Sequence, residues 1–196
     1  MRRYYITDRS TCPGSLLDCI EENARRGCSW IQLREKDLAP RDLLDLARAA
    51  LARVRPYRTA ILVNSRLDVA LAAGADGVPL PAGSPAPRDF RPVLPTGFLI
   101  AVSAHSVDEV CRAELEGADF AVFGPVFPTR SKPGLDEIPG LAGLREACAA
   151  SSLPVAALGG ITAERAATCA EAGAAGIAGI SMFQSLCGTA GKREAT

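Results

Sequence analysis

One phrase recurs along this chain: a helix-like stretch ends in Gly, and a short apolar run follows at once. It reads Gly27-Cys28-Ser29-Trp30-Ile31-Gln32-Leu33, then Gly74-Ala75-Asp76-Gly77-Val78, then Gly117-Ala118-Asp119-Phe120-Ala121-Val122-Phe123, then Gly173-Ala174-Ala175-Gly176-Ile177. Glycine suits a helix end because the chain there often turns left-handed, where a Cβ would clash. Three further apolar runs interleave with these: Thr59-Ala60-Ile61-Leu62-Val63, Gly97-Phe98-Leu99-Ile100-Ala101-Val102 and Leu153-Pro154-Val155-Ala156-Ala157-Leu158. They are continuous rather than alternating, as expected of strands buried on both faces of a parallel sheet. The pattern predicts strands over 3–7, 29–33, 59–63, 76–80, 98–102, 119–123, 154–158 and 175–180.

Helical signals fill the gaps. Leu43, Leu44, Ala47, Ala50 and Leu51 repeat at the spacing of one buried stripe. Ser106 and Thr162 precede acidic residues and read as N-caps. Strands alternating with helices imply parallel pairing through right-handed crossovers. The expected class is therefore α/β, and eight units predict a (β/α)8 TIM barrel over 1–187. A doubly wound open sheet is the alternative. A chain of 196 residues leaves about 24 residues per unit, fewer than the usual ~250-residue barrel supplies. The last helix is thus expected to be short or missing. Residues 188–196, small and polar, read as a flexible C-terminal tail.

Formal net charge is zero, which argues against a nucleic-acid or membrane surface driven by bulk charge. No apolar stretch approaches a membrane span, and residues 1–8 lack the apolar core of a signal peptide. The seven cysteines are odd in number and include no C-x-x-C pair, which speaks against a zinc cluster or a disulfide framework. Several occupy apolar helical positions, as small hydrophobes do. The composition reads as that of a reduced, cytoplasmic protein. Nothing in it decides between a monomer and a homo-oligomer.

In a barrel, chemistry sits at the C-terminal ends of the strands. Those positions hold Thr7 and Asp8; Gln32, Arg34, Glu35 and Lys36; Asn64, Ser65 and Arg66; Ser103 and His105; Thr129, Arg130, Ser131 and Lys132; Gly159-Gly160; and Gly179-Ile180-Ser181. Glycines after the last two strands suit a phosphate held by backbone N–H groups, or simply two turns. Arg34 and Lys36 form either a solvated charged turn or a pair of cations for an anionic ligand. Lys132 lies in a long Pro/Gly-rich segment, 125–140, that could act as a flap. His105 is the sole histidine: a structural hydrogen bonder or a proton shuttle. Around the mouth the acids are Asp8, Glu35, Asp136 and Glu137, with no close pair to hold a metal.

Taken together, Gln32-Leu33-Arg34-Glu35-Lys36, Val63-Asn64-Ser65-Arg66-Leu67-Asp68, Gly74-Ala75-Asp76-Gly77-Val78, Ser103-Ala104-His105-Ser106, Gly124-Pro125-Val126-Phe127-Pro128-Thr129, Leu158-Gly159-Gly160-Ile161-Thr162 and Ile180-Ser181 resemble the thiamine phosphate synthase superfamily. The resemblance runs through nearly the whole chain and implies a barrel of thiamine biosynthesis. One branch, the synthase, joins a pyrimidine diphosphate to a thiazole phosphate with Mg²⁺, using Asn-Asp after strand 3 and an Asp after strand 4. Here those places hold Asn64-Ser65 and Leu80-Pro81-Ala82-Gly83-Ser84. The second branch, the TenI thiazole tautomerase, aromatises a thiazole carboxylate phosphate by a proton shift and needs no cofactor. The chain looks closer to that isomerase branch. The resemblance then implies His105 as the catalytic acid/base, and Gly160, Ile180 and Ser181 around the phosphate. Gln32, Arg34, Lys36, Asn64, Ser103, Thr129 and Lys132 would contact the rest of a phosphorylated thiazole. The synthase, and a barrel that binds without turnover, are the alternatives.

Overall fold

A computed structural model describes residues 1–129 and 138–187. Eight parallel strands close into a barrel in sequence order, β1 pairing with both β2 and β8. They are β1 (Arg2–Ile6), β2 (Trp30–Leu33), β3 (Ala60–Val63), β4 (Gly77–Leu80), β5 (Leu99–Ala104), β6 (Phe120–Phe123), β7 (Val155–Leu158) and β8 (Gly176–Gly179). Each matches a predicted run to within two residues at either end. The open-sheet alternative is excluded by the β1–β8 register, Arg2 beside Gly176 through Tyr5 beside Gly179.

The helices are α1 (Leu16–Arg25), α2 (Pro40–Val54), α3 (Leu67–Ala73), α4 (Pro87–Phe90), α5 (Val107–Leu115), α6 (Gly140–Ala150), α7 (Ala163–Glu171) and α8 (Ser181–Gln184). The last is indeed a single turn. The Ser106 and Thr162 side chains accept from the Glu109 and Arg165 N–H groups, as N-caps should. On α2 the buried stripe is Leu43, Ala47, Ala50 and Val54, with Leu44 and Leu51 only half-buried at its edge. No helix among the described residues is long and apolar enough to cross a membrane.

The recurring phrase has a structural meaning. Its four leading glycines, Gly27, Gly74, Gly117 and Gly173, all have positive φ, and at the first three an added Cβ would meet open space. Backbone handedness, not crowding, selects glycine there. The Asp in two copies also has a task. Asp76 accepts the Ile61 N–H at 2.8 Å, and Asp119 accepts the Ile100 N–H at 2.6 Å. Each carboxylate thus satisfies the N–H of the second residue of its strand, β3 or β5. Asp119 also pairs with Arg91 at 2.7 Å.

Two apolar layers lie between sheet and helices, and a third fills the barrel. Inside, Trp30 stacks on Phe120 at 4.1 Å between centroids, and Tyr4 meets both rings edge-on. This aromatic plug closes the N-terminal end and leaves the opposite mouth for polar groups.

The cysteines require a correction. Cys19 on α1 and Cys187, just past α8, form a disulfide with Cα atoms 5.3 Å apart. The partners are 168 residues apart in sequence, so local spacing holds no trace of the pair. The barrel brings α8 back over α1. Of the other thiols, Cys28 and Cys169 are buried as expected of small hydrophobes, and burial pushes Cys28 up to about 11. The tail, 188–196, lies outside the described residues.

Candidate functional site

The mouth is organised first by a line of hydrogen bonds across β1, β2 and β3. Gln32 follows Trp30 by two residues, so it shares the inward face of β2 one layer higher. The wholly buried Tyr4 hydroxyl donates to Gln32 Oε1 at 2.7 Å. Gln32 Nε2 donates to Asn64 Oδ1 at 2.6 Å, and Asn64 Nδ2 donates to Ser65 Oγ at 3.0 Å. Burial, with the neighbouring Cys28 adding to it, pushes the Tyr4 phenol well above its usual range, so it stays protonated. Ser65 is held at φ 58°, a left-handed conformation rare for a non-glycine residue, and its N–H bonds Pro79 O at 2.9 Å.

A second cluster positions the cations. Glu35 is 5% exposed. It accepts from Thr7 Oγ1 at 2.5 Å and from the Arg9 N–H at 3.0 Å. Thr7 Oγ1 in turn accepts the Arg34 N–H at 3.0 Å. A donated proton on one side and an accepted one on the other lock the chain where Arg34 begins. Lys36, Glu35, Asn64, Ser65 and Arg66 line a cleft of about 270 Å³. Arg34 is half-buried and Lys36 exposed. The turn is therefore tied down on its Glu35 side while Lys36 stays in solvent.

Across the mouth, Ser103 lies within β5, which runs to Ala104. His105 follows, exposed, with Nδ1 2.5 Å from the Gly124 carbonyl and its own N–H on Glu109 Oε2. A carbonyl oxygen can only accept, so Nδ1 carries the proton and Nε2 is the basic nitrogen of the neutral ring. The arrangement can take up and return one proton.

After β7 the chain makes the Gly159-Gly160 turn. An added Cβ on Gly160 would lie 2.6 Å from Pro128 O and 2.8 Å from Phe127 Cβ, with φ at +60°. One on Gly159 would lie 2.6 Å from Pro125 Cβ. The segment after β6 packs on the pair closely enough by itself to require glycine at both positions. Val126 and Phe127 donate to Leu158 O and Gly159 O. Arg165 clamps the same turn, bonding Gly160 O at 2.7 Å and lying over the Phe127 ring. Beside it, Ile180 precedes α8 and Ser181 opens it, exposed. Gln184 ties α8 to the first loop, through Asp8 O at 2.7 Å and Thr11 at 2.9 Å.

The structure thus joins Gln32 directly to Asn64, puts Lys36 and Asn64 on one cleft, and fixes the backbone of Arg34 through Thr7. His105 stands at the β5–β6 side, and Gly160, Ile180 and Ser181 at β7 and β8. Thr129 is half-buried at the end of a described stretch. Lys132, Asp136 and Glu137 lie outside the described residues. Sequence reasoning missed Tyr4, Gln184 and Arg165. Tyr4 looked like core, and nothing local in the sequence marks its hydroxyl.

The ends of β3 and β4 do not suit Mg²⁺, which prefers carboxylate oxygens. They offer the hydroxyls of Ser65 and Ser84. Nearby Asp68 is held by Nε and Nη2 of Arg66, which lowers its pKa to about 2. Glu35 is engaged by Thr7 and Arg9. Among the described residues no group of three His, Cys, Asp or Glu could hold a metal ion.

A family model described as thiamine monophosphate synthase matches residues 3–183. A protein named thiamine-phosphate synthase from Methanoculleus marisnigri is 44% identical over 91% of this chain and 85% of its own length. A protein of the same name from Clostridium novyi is 39% identical over 92% of this chain and 89% of its own. The solved structure titled thiamine phosphate pyrophosphorylase from Pyrococcus furiosus superposes with a TM-score of 0.83 at 30% identity, covering 95% of this chain and 92% of that one.

Proposed function

Because the chain belongs to the thiamine monophosphate synthase family, we propose that it is an enzyme of thiamine biosynthesis that takes a phosphorylated thiazole into this mouth and aromatises a thiazole carboxylate phosphate by a proton shift. The observation that carries the isomerase reading is the donor set: hydroxyls, Ser65 and Ser84, stand where metal-assisted coupling would need carboxylates. His105 supports it, with Nδ1 engaged and Nε2 basic. In this reading His105 removes a proton from one carbon of the ring system and returns one at another, so substrate and product have the same composition. Gly160, Ile180 and Ser181 hold the phosphate. Gln32, Arg34, Lys36, Asn64, Ser103, Thr129 and Lys132 surround the thiazole, and no cofactor takes part.

A second reading, thiamine phosphate synthase, is favoured by the names of the relatives. Under it the pyrimidine diphosphate would bring Mg²⁺ bound to its own phosphate oxygens. One assay separates the two. The purified protein is given each substrate set, with Mg²⁺ or with excess chelator. Isomerisation that survives the chelator supports the first reading. Mg²⁺-dependent coupling without isomerisation replaces it with the second.

A further inference from the structure

The line from Tyr4 to Ser65 has a direction, and one buried proton sets it. Tyr4 is wholly buried, and Gln32 is its hydrogen-bond partner toward the mouth. A phenol so placed must donate, and a carbonyl-type oxygen must receive. Gln32 therefore turns Oε1 to Tyr4 and Nε2 to Asn64. Asn64 must then accept with Oδ1 and donate with Nδ2, which reaches Ser65 Oγ. Ser65 Oγ is an acceptor at the end of the line, so its own proton points elsewhere. Among the described residues no acceptor takes it. Ser65 is exposed and lines the cleft beside Lys36 and Arg66. Its left-handed φ is a cost that the Pro79 bond sustains.

We propose that Ser65 is a specificity-determining residue whose hydroxyl donates to an anionic acceptor on the ligand, with Tyr4, through Gln32 and Asn64, as the positioning residue that fixes its polarity. A carboxylate at this place would turn away such an acceptor unless a cation lay between. A hydroxyl on the same cleft as the exposed Lys36 receives it directly. Given the proposed function, on which this identification rests, the acceptor is the carboxylate of the thiazole rather than its phosphate, because the phosphate lies at β7 and β8.

The test uses the full chain and two probes, a thiazole phosphate with the ring carboxylate and one without it. Binding is measured by calorimetry for wild type, Ser65→Ala, Ser65→Asp and Tyr4→Phe. A hydrogen bond to a charged group predicts that Ser65→Ala weakens the carboxylated probe by about tenfold or more and the other by less than about twofold. Ser65→Asp should weaken it further. Tyr4→Phe keeps the ring against Trp30 and Phe120, and should show the same selective loss. In that variant the Gln32 and Asn64 side-chain amide resonances should also move in the ligand-free protein, a signature a purely structural Tyr4 would not give. Equal losses for both probes, or none, in Ser65→Ala overturn the proposal even if Tyr4→Phe fails to fold. Selective binding without isomerisation by wild type sinks the proposed function and leaves Ser65 standing. Binding of neither probe sinks both.

Discussion

Replacing His105 with Ala separates chemistry from structure. The exposed ring holds the Gly124 carbonyl through Nδ1. Losing one such bond at the surface costs about 1 kcal/mol, and water can satisfy the vacated carbonyl. In a chain of 196 residues that lowers the melting temperature by roughly 2–4 °C. A positioned acid/base contributes ~10²–10⁴-fold in rate, equivalent to about 3–5 kcal/mol of barrier. The kinetic effect should therefore exceed the stability effect several-fold. The phosphate ligands proposed here are on β7 and β8, so substrate affinity should hold. Single-turnover isomerisation, followed by the absorbance of the aromatic product, reads the first quantity. A thermal melt and calorimetric binding read the others. His105→Asn should be as slow as Ala while its amide N–H, which overlays Nδ1, regains the bond to Gly124. A variant that melts several degrees lower yet turns over near the wild-type rate would refute the reasoning and leave His105 a structural residue.

Gly160→Ala should destabilise by about 2–5 kcal/mol in urea denaturation, the sum of left-handed backbone cost and the collision with Pro128 and Phe127; a neutral effect would mean that the β6 segment does not pack there. Asp119→Ala should cost about 1–3 kcal/mol, because the Ile100 N–H loses its side-chain acceptor and Arg91 keeps only the Phe98 and Gly117 carbonyls. Little change would show that water replaces the carboxylate. Cys187→Ser, or reduction, should lower stability by about 2–5 kcal/mol, since the closed loop spans nearly the whole chain; mass spectrometry of the alkylated native protein checks that the pair is oxidised.

The strands were legible because each is buried on both faces, so continuous apolar runs bounded by glycine mark them almost to the residue. The single-turn α8 followed from the shortness of the repeat. The polar mouth was legible as a list of strand ends, but not as a network. Gln32 and Asn64 are 32 residues apart, and only the β2–β3 register, Gln32 beside Leu62, brings their amides together. The Tyr4 hydroxyl was hidden inside an apolar strand whose pattern demanded a ring and said nothing of its oxygen. Gly159-Gly160 was read by its neighbours in sequence, whereas its shape answers to Pro125–Pro128 from another loop. The Cys19–Cys187 pair depends on the closure of the barrel itself.

The stacked Trp30 and Phe120, with Tyr4 against them, bear on traffic as well as stability. They make a solid floor, which among the described residues leaves the opposite mouth as the way in. Whatever is consumed and whatever is released must pass through it in turn. Product lingering there excludes the next molecule, so inhibition by product should be competitive with the substrate. If two different molecules had to meet inside, the one seated deeper would have to enter first and leave last.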